Sequence, residues 1–114
     1  MKELTIKLTN IVGGGYAVDV GDGKRLFSKI DQGLQSGAIV TLDFANIDIV
    51  IASFLHVAVG NLYKCHTPDI IKSNLKFSNI EEVDLRLTKK VMERANQLFG
   101  NTEQLKNELP GNSG

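Results

Sequence analysis

Residues 42–62, LDFANIDIVIASFLHVAVGNL, form the stretch of sequence that decides the fold. An apolar strand ends at Asp43, and a short linker leads to Ser53 at the start of an apolar helix. Ser53 is a suitable helix N-cap, because its hydroxyl can accept a hydrogen bond from a first-turn amide, worth about 1 kcal/mol. A phosphate would suit the same position, since free amides and the helix dipole stabilise negative charge. The stretch therefore predicts a strand–loop–helix unit whose serine is a cap, a switch or both.

Further strands and helices are predicted on both sides of this unit. Alternating or continuous apolar residues indicate strands, and apolar residues at helical spacing indicate helices. The predicted strands are Glu3–Leu8, Tyr16–Val20, Ala38–Leu42 and Asn74–Ser78. The predicted helices are Lys24–Leu34, Ser53–Lys64 and Asp84–Phe99. The glycine-rich segment 10–15 would close a hairpin between the first two strands, and Pro68 would end the second helix.

This order of elements predicts one α/β domain over residues 1–100. A mixed sheet of four to five strands would be covered by helices, with right-handed crossovers between parallel strands. Ala38–Leu42 is nearly continuously apolar, which is typical of a central strand buried on both faces. The first strand would have an unpaired edge that could support a homodimer. Residues 101–114 are polar and end in PGNSG, so we expect a mobile tail there.

Composition and charge exclude several classes of protein. The 114 residues carry 13 basic and 13 acidic side chains, without the basic surplus of a dedicated nucleic-acid binder. The longest apolar stretch, Ile47–Gly60, is interrupted by polar residues and is too short to span a bilayer. No signal-peptide pattern is present, and the lone Cys65 excludes an internal disulfide. We expect a cytoplasmic protein that contacts neither membrane nor nucleic acid.

Neither a metal site nor a catalytic site is predicted. His56, Cys65 and His66 are the only soft metal ligands, and zinc needs three or four that converge. On a continued helix, the nine-residue step from His56 to Cys65 places the two on opposite sides. Ser53 and His56 could form part of a hydrolase triad with Asp43 or Asp48, but no nucleophile elbow of the GxSxG type is present. We therefore expect no enzyme activity, no metal and no cofactor.

A second candidate site is the glycine-rich turn before the first helix. Gly21-Asp22-Gly23-Lys24 matches neither a Walker loop nor a dinucleotide fingerprint, yet its amides could receive an anion. Two interpretations remain open. The segment is a tight turn with a helix cap, or it binds a small ligand or nucleotide through Asp19, Asp22, Gly23 and Lys24.

The block LDFANIDIVIASFLHVAVGNL resembles the central block of STAS domains, the anti-sigma-factor antagonists and their relatives. It is most similar to bacterial STAS-like domains of unknown function, in which LDF and a small residue precede a serine-rich SF before the helix. The preceding GKRLFSKIDQGL and the following NLKFSNI fit the same order of elements. The resemblance covers residues 3–99 and implies a STAS-like fold.

In the antagonists, a kinase of the GHKL type phosphorylates a serine in this loop, and phosphorylation releases the kinase. Counted from Asp43, the acceptor position is Ala52, so the family's phosphoserine is replaced here, and the second serine is Ser53. The resemblance implies a bacterial signalling domain that docks a GHKL-type ATPase or kinase through Asp43, Ala52, Ser53 and Phe54. Nucleotide sensing through the Gly21–Lys24 turn is the alternative, and an accessory protein of a mobile element is a third possibility.

Overall fold

The computed structural model describes residues 2–100, so the predicted tail at 101–114 lies outside the described residues. This part of the chain contains five strands and five helices. The strands are β1 (Glu3–Lys7), β2 (Tyr16–Ala17), β3 (Ile39–Asp43), β4 (Ile49–Val50) and β5 (Leu75–Ser78). The helices are α1 (Leu8–Val12), α2 (Val20–Gln35), α3 (Ala52–Ala58), α4 (Pro68–Asn74) and α5 (Glu82–Ala95). A 3₁₀ turn, Gly60–Lys64, follows α3, and a π-helical turn, Asn96–Gly100, follows α5.

The main sheet has three parallel strands in the order β1-β3-β5, and β2 and β4 form a separate parallel pair. Leu4 of β1 lies opposite Val40 of β3, which lies opposite Leu75 of β5. The central place of β3 is confirmed. The predicted mixed sheet is wrong, because all three pairings are parallel. The predicted hairpin is also wrong, because the chain enters α1 directly after β1 and β2 pairs with β4 instead.

The main sheet buries one face only. On that face, Leu42 and Val40 of β3 are fully buried in a core shared with α2 and α3. On the other face, Thr5 and Lys7 of β1 are exposed. Thr41 of the central strand β3, which lies opposite Thr5, is half-buried. The prediction that β3 is buried on both faces is therefore wrong. Within residues 2–100, no layer of helices covers this polar face to the extent that α2 and α3 cover the apolar face.

The helices begin and end at residues other than those predicted, because capping residues and not the apolar pattern determine where a helix begins. α2 starts four residues before its predicted start, because Asp19 caps it and accepts a hydrogen bond from the amide of Asp22 at 3.0 Å. Pro68 does not end a helix but begins α4, where a missing N–H has no cost. Thr67 caps that helix by accepting from the amide of Ile70 at 3.2 Å. The second predicted helix is also too long, since α3 ends at Ala58 and a 3₁₀ turn follows.

Two glycines allow α2 to lie close to its neighbours. A Cβ atom on Gly33 would lie 2.7 Å from Cγ2 of Val40 and 3.2 Å from Cδ2 of Leu4. A Cβ atom on Gly23 would lie 3.2 Å from the carbonyl oxygen of Phe54. α2 therefore presses against the sheet at one glycine and against α3 at the other.

Candidate functional site

Asp43 ties together two loops at the carboxyl edge of the main sheet. Its Oδ1 accepts hydrogen bonds from the amide of Ala45 and from Nδ2 of Asn79, both at 2.9 Å. Ala45 belongs to the loop after β3, and Asn79 directly follows β5. Asn79 adopts a left-handed conformation with φ 53°, which asparagine tolerates better than most residues. The predicted acid at the strand end is therefore a structural clasp between the two loops.

The surroundings of Asp43 favour its charged form. The hydrogen bond from Asn79, then the one from Ala45, and the nearby positive charge of Lys7 together lower the pKa of Asp43 below its ordinary value of 3.8. Lys7 lies opposite Asp43 in the register of β1 and β3. A carboxyl group whose pKa is lower in the folded state stabilises the fold above its unfolded-state pKa. That stabilisation is lost as the pH falls through the folded-state value.

The lowered pKa of Asp43 leads to a pH-dependent prediction for the stability of the Asp43→Asn variant. We expect the variant to have a lower free energy of unfolding than the wild type at about pH 6, and the difference to shrink below about pH 4. Urea unfolding followed by circular dichroism across this range measures it. Asn79→Gly keeps the left-handed conformation but removes the donor, so it should show part of the same pH dependence. A difference between Asp43→Asn and wild type that stays constant down to the lowest pH would contradict the charge-based explanation.

The start of α3 does not use Ser53 as its cap. Ile51 occupies the N-cap position and its side chain makes no capping hydrogen bond, so the predicted capping role of Ser53 is wrong. Ala52 and Ser53 are the first two helical residues, and both are exposed. The chain enters the helix directly after β4, where the amide of Ile51 donates to the carbonyl of Ala17 in β2 at 3.2 Å. The Ser53 hydroxyl is thereby left at the surface.

Phe54 is not part of this surface. Its side chain is fully buried, and it is the largest of the fully buried side chains. Leu55 is buried beside it, because α3 packs against both α2 and α5. The prediction that Phe54 faces a partner is therefore corrected to a core role. Neighbouring residues 53 and 54 divide between solvent and core, as expected when a helix lies with one face on the core.

Exposed apolar side chains surround the start of α3. Tyr16 is 60% exposed and Ile49 is 49% exposed, and the two are register partners in the β2–β4 pair. Val18 and Ile51, which are also exposed, follow just after the ends of these two strands, and Val20 is the exposed first residue of α2. We call this surface the apolar patch; its members are Tyr16, Val18, Val20, Ile49 and Ile51.

A cleft of about 460 Å³ continues from the apolar patch between the helices. Val20 belongs to both, and Ser53 lines the cleft beside it. The cleft is lined by residues of α2, α3 and α5, namely Val20, Ala52, Ser53, His56, Val57, Val91 and Arg94. The cleft is predominantly apolar, and its polar groups are the serine hydroxyl, the exposed His56 and the Arg94 guanidinium.

Asp43 and Ser53 do not form one site. Among residues 2–100, neither a hydrogen bond nor an ion pair joins them, because Asp43 ends a strand of the main sheet and Ser53 follows the separate β2–β4 pair. The structure instead brings Ser53 together with the patch. The sequence carried a signal for the patch in the alternating IDIVI of residues 47–51 and the YAVDV of residues 16–20. The first segment was interpreted as part of the linker before Ser53, and the second as a strand.

A comparison with protein-family models decides the relationship of the chain. The model described as the STAS-like domain of unknown function (DUF4325) matches residues 22–85, more than half of the chain. This chain belongs to that family. The STAS-like domain matches neither a curated protein nor a solved structure. The matched segment includes Asp43, Ser53 and most of α2, so it contains the loop and helix start described above.

The second candidate site of the STAS-like domain is not a loop. Gly21–Lys24 lies inside the first turns of α2, where the amide of Asp22 is already bound to the Asp19 carboxylate. Asp22 in turn forms an ion pair with Arg25. Two carboxylates at this helix start oppose a bound phosphate, and Gly23 is buried against Phe54. These residues cap and pack α2, which favours the first of the two interpretations that the sequence left open, a tight turn with a helix cap.

The potential metal ligands of the STAS-like domain are dispersed. Cys65 and His56 are both exposed. His66 instead pairs with Asp31, with 2.6 Å between Nε2 and Oδ1, and joins α2 to the segment before α4. Within residues 2–100, no three His, Cys, Asp or Glu side chains are placed to hold a metal ion. Nor does this part of the chain contain a helix with the length and apolarity needed to cross a bilayer.

Proposed function

We propose that this STAS-like domain is a non-enzymatic interaction module that docks a partner protein through the apolar patch and the adjoining start of α3. The apolar patch carries the proposal. Single exposed apolar residues are ordinary, but a contiguous exposed group on a small domain is typical of protein-interaction surfaces. Tyr16 is an aromatic residue of the kind enriched in binding hot spots, and it lies opposite Ile49 in the same patch.

The chemistry of the partner is proposed from the family resemblance. In the antagonist relatives, the corresponding loop and helix start contact a GHKL-type ATPase or kinase, so we propose a partner of that class. Ser53 supports the proposal because its hydroxyl is exposed and does not cap the helix. A phosphate on Ser53 would place about two negative charges beside the patch and disfavour an apolar interface there. Ser53 would thus take over the switching role of the serine that Ala52 replaces.

The test uses a substitution that changes the patch without weakening the fold. Ile51→Asp places a charge in the patch, while aspartate at an N-cap stabilises a helix by about 1 kcal/mol. That gain offsets the loss of partly buried isoleucine, so we expect little change in the free energy of unfolding. We expect affinity for the partner to fall at least about tenfold, which corresponds to about 1.4 kcal/mol. Ser53→Asp should weaken binding similarly, whereas Ser53→Ala should bind like the wild type.

The measurement begins with capture from native cell extract, and the retained kinase-like ATPase is then purified for isothermal titration calorimetry. Val83→Asp is the matched control, because Val83 is an equally apolar, 64% exposed residue in the first turn of α5, outside the patch. It should bind like the wild type. Equal affinities for Ile51→Asp and Val83→Asp would show that the patch is not the interface. Retention of no ATPase of this class by the wild type would contradict the proposed partner.

A further inference from the structure

β1 presents a free hydrogen-bonding edge. The amide of Ile39 donates to the carbonyl of Lys2 at 2.9 Å. This hydrogen bond determines which residues of β1 direct their backbone groups towards β3. In a parallel pair, alternate residues direct both backbone groups to the neighbour. Leu4 and Ile6 therefore face β3, whereas Glu3, Thr5 and Lys7 direct their backbone groups away from it. β1 is at the end of the sheet order, and no other strand within residues 2–100 pairs with that side.

The residues of β1 are self-complementary about Thr5. The strand reads Glu3-Leu4-Thr5-Ile6-Lys7, and α1 begins immediately afterwards, so the strand cannot extend further. If a second copy paired antiparallel about Thr5, each Glu3 would lie opposite a Lys7. Each Leu4 would lie opposite an Ile6, on the face that packs against α2. Opposite charges directly across an antiparallel ladder stabilise the pairing, and the Leu4–Ile6 pairs would remove apolar surface from water.

The directions of the backbone groups in β1 also suit antiparallel pairing about Thr5. Antiparallel pairing about Thr5 needs its N–H and C=O to face outwards, and they do. The two Thr5 residues would exchange two hydrogen bonds. Each Lys7 amide would donate to the Glu3 carbonyl of the other copy, adding two more. The Lys7 carbonyl is the N-cap acceptor of α1 and is not needed.

Space for the second copy exists beside the strand. A cleft of about 550 Å³ follows β1 along the outer side of α2, and Leu4, which is 39% exposed, borders it. In a two-fold arrangement, the α2 helices of the two copies would lie next to each other above a continuous sheet. Lys29 and Gln32 of α2 line the cleft and would face the other copy.

We infer that two copies of this chain associate through antiparallel pairing of β1 about Thr5, forming a continuous six-stranded sheet. This surface is the outer edge of the main sheet, whereas the apolar patch lies on the separate β2–β4 pair. The inference is therefore independent of the proposed function. A dimer of this type would present two patches to a partner.

Thr5→Pro tests the pairing. Proline is tolerated in edge strands when its missing N–H would face outwards, so the fold should survive. The substitution removes both central hydrogen bonds of the proposed dimer. Sedimentation equilibrium of the full chain should give twice the monomer mass of 12.5 kDa for the wild type at about 200 µM. Thr5→Pro should remain a monomer, and Thr5→Val, which keeps the amide, should still dimerise.

Charge reversal identifies the register. Glu3→Lys or Lys7→Glu alone places like charges opposite each other twice in the dimer, and we expect each to weaken association at least about tenfold. The double variant restores both opposite-charge pairs and should recover association close to that of the wild type. A wild type that stays monomeric, a dimer unaffected by Thr5→Pro, or a double variant no better than the single variants would each overturn the inference.

Discussion

Phe54→Ala is expected to lower the free energy of unfolding by about 3–5 kcal/mol. The side chain is fully buried in the hydrophobic core, and its removal would leave a cavity that the surrounding residues can fill only in part. A domain of this size is typically stable by roughly 5–15 kcal/mol, so the loss is a large fraction of the total. Urea unfolding at neutral pH, monitored by circular dichroism, measures the difference.

Tyr16→Ala is the matched control for the loss of an aromatic ring. Tyr16 is 60% exposed, so its removal should change stability by less than about 1 kcal/mol while reducing affinity for the partner. The two aromatic residues are thus expected to show opposite profiles. If Phe54→Ala were as stable as the wild type and only lost binding, the core role of Phe54 would be wrong.

Gly33→Val is expected to destabilise the domain by about 3 kcal/mol, at the upper end of the cost of overpacking. Helix propensity alone predicts the opposite sign, because glycine inside a helix is unfavourable by about 1 kcal/mol relative to alanine. The contact with the sheet decides the outcome, because a Cβ atom at Gly33 would lie 2.7 Å from Cγ2 of Val40. Valine adds two further methyl groups at the same contact, so α2 would have to move away from β1 and β3.

The series Gly33→Ala and Gly33→Val separates propensity from packing. Alanine adds only the Cβ atom and should fall between the wild type and valine in thermal stability. Ser28→Val, at an exposed position of the same helix, measures the cost of a β-branched residue without the clash. That control should change the free energy of unfolding by less than about 1 kcal/mol. A Gly33→Val variant as stable as Ser28→Val would show that α2 is not closely packed on the sheet.

Substitutions at two neighbouring residues are expected to affect stability and partner binding separately. Ser53 lies at the surface and Phe54 in the core, although both belong to the first turn of α3. Substitutions at Ser53 should therefore alter binding with little effect on folding, and those at Phe54 should do the reverse. This division allows the proposed switch to be tested without unfolding the domain.

Much of the fold could be predicted from the sequence, because its signals are local. The alternation in β1, the apolar run of β3 and the helical spacing of α5 follow from which residues are apolar. The family resemblance from the LDF…SF block was confirmed by the match over residues 22–85. The start of α2 was predicted four residues too late because apolar spacing marks the interior of a helix and does not reveal its cap, Asp19.

Strand partners and the site depended on contacts that are distant in the sequence. Nothing local indicates that β2 pairs with β4 rather than with β1, since both choices satisfy the same alternation. The clasp from Asp43 to Asn79 joins the last residue of β3 to the residue that follows β5, so no spacing rule reveals it. The apolar patch was overlooked for a similar reason. Its residues have the composition of a core, and only packing shows that the core is filled without them.

The sequence by itself determined the class of fold and the place of β3 at its centre, because apolar periodicity dictates which segments must be buried. The tertiary structure alone decided which apolar residues the core has room for. Phe54 is fully buried in the core, while Tyr16 and Ile49 remain exposed on a two-residue ladder. Whether an apolar side chain is buried depends on the space left in a close-packed core and not only on its residue type. The candidate docking surface therefore emerged only when the chain was folded.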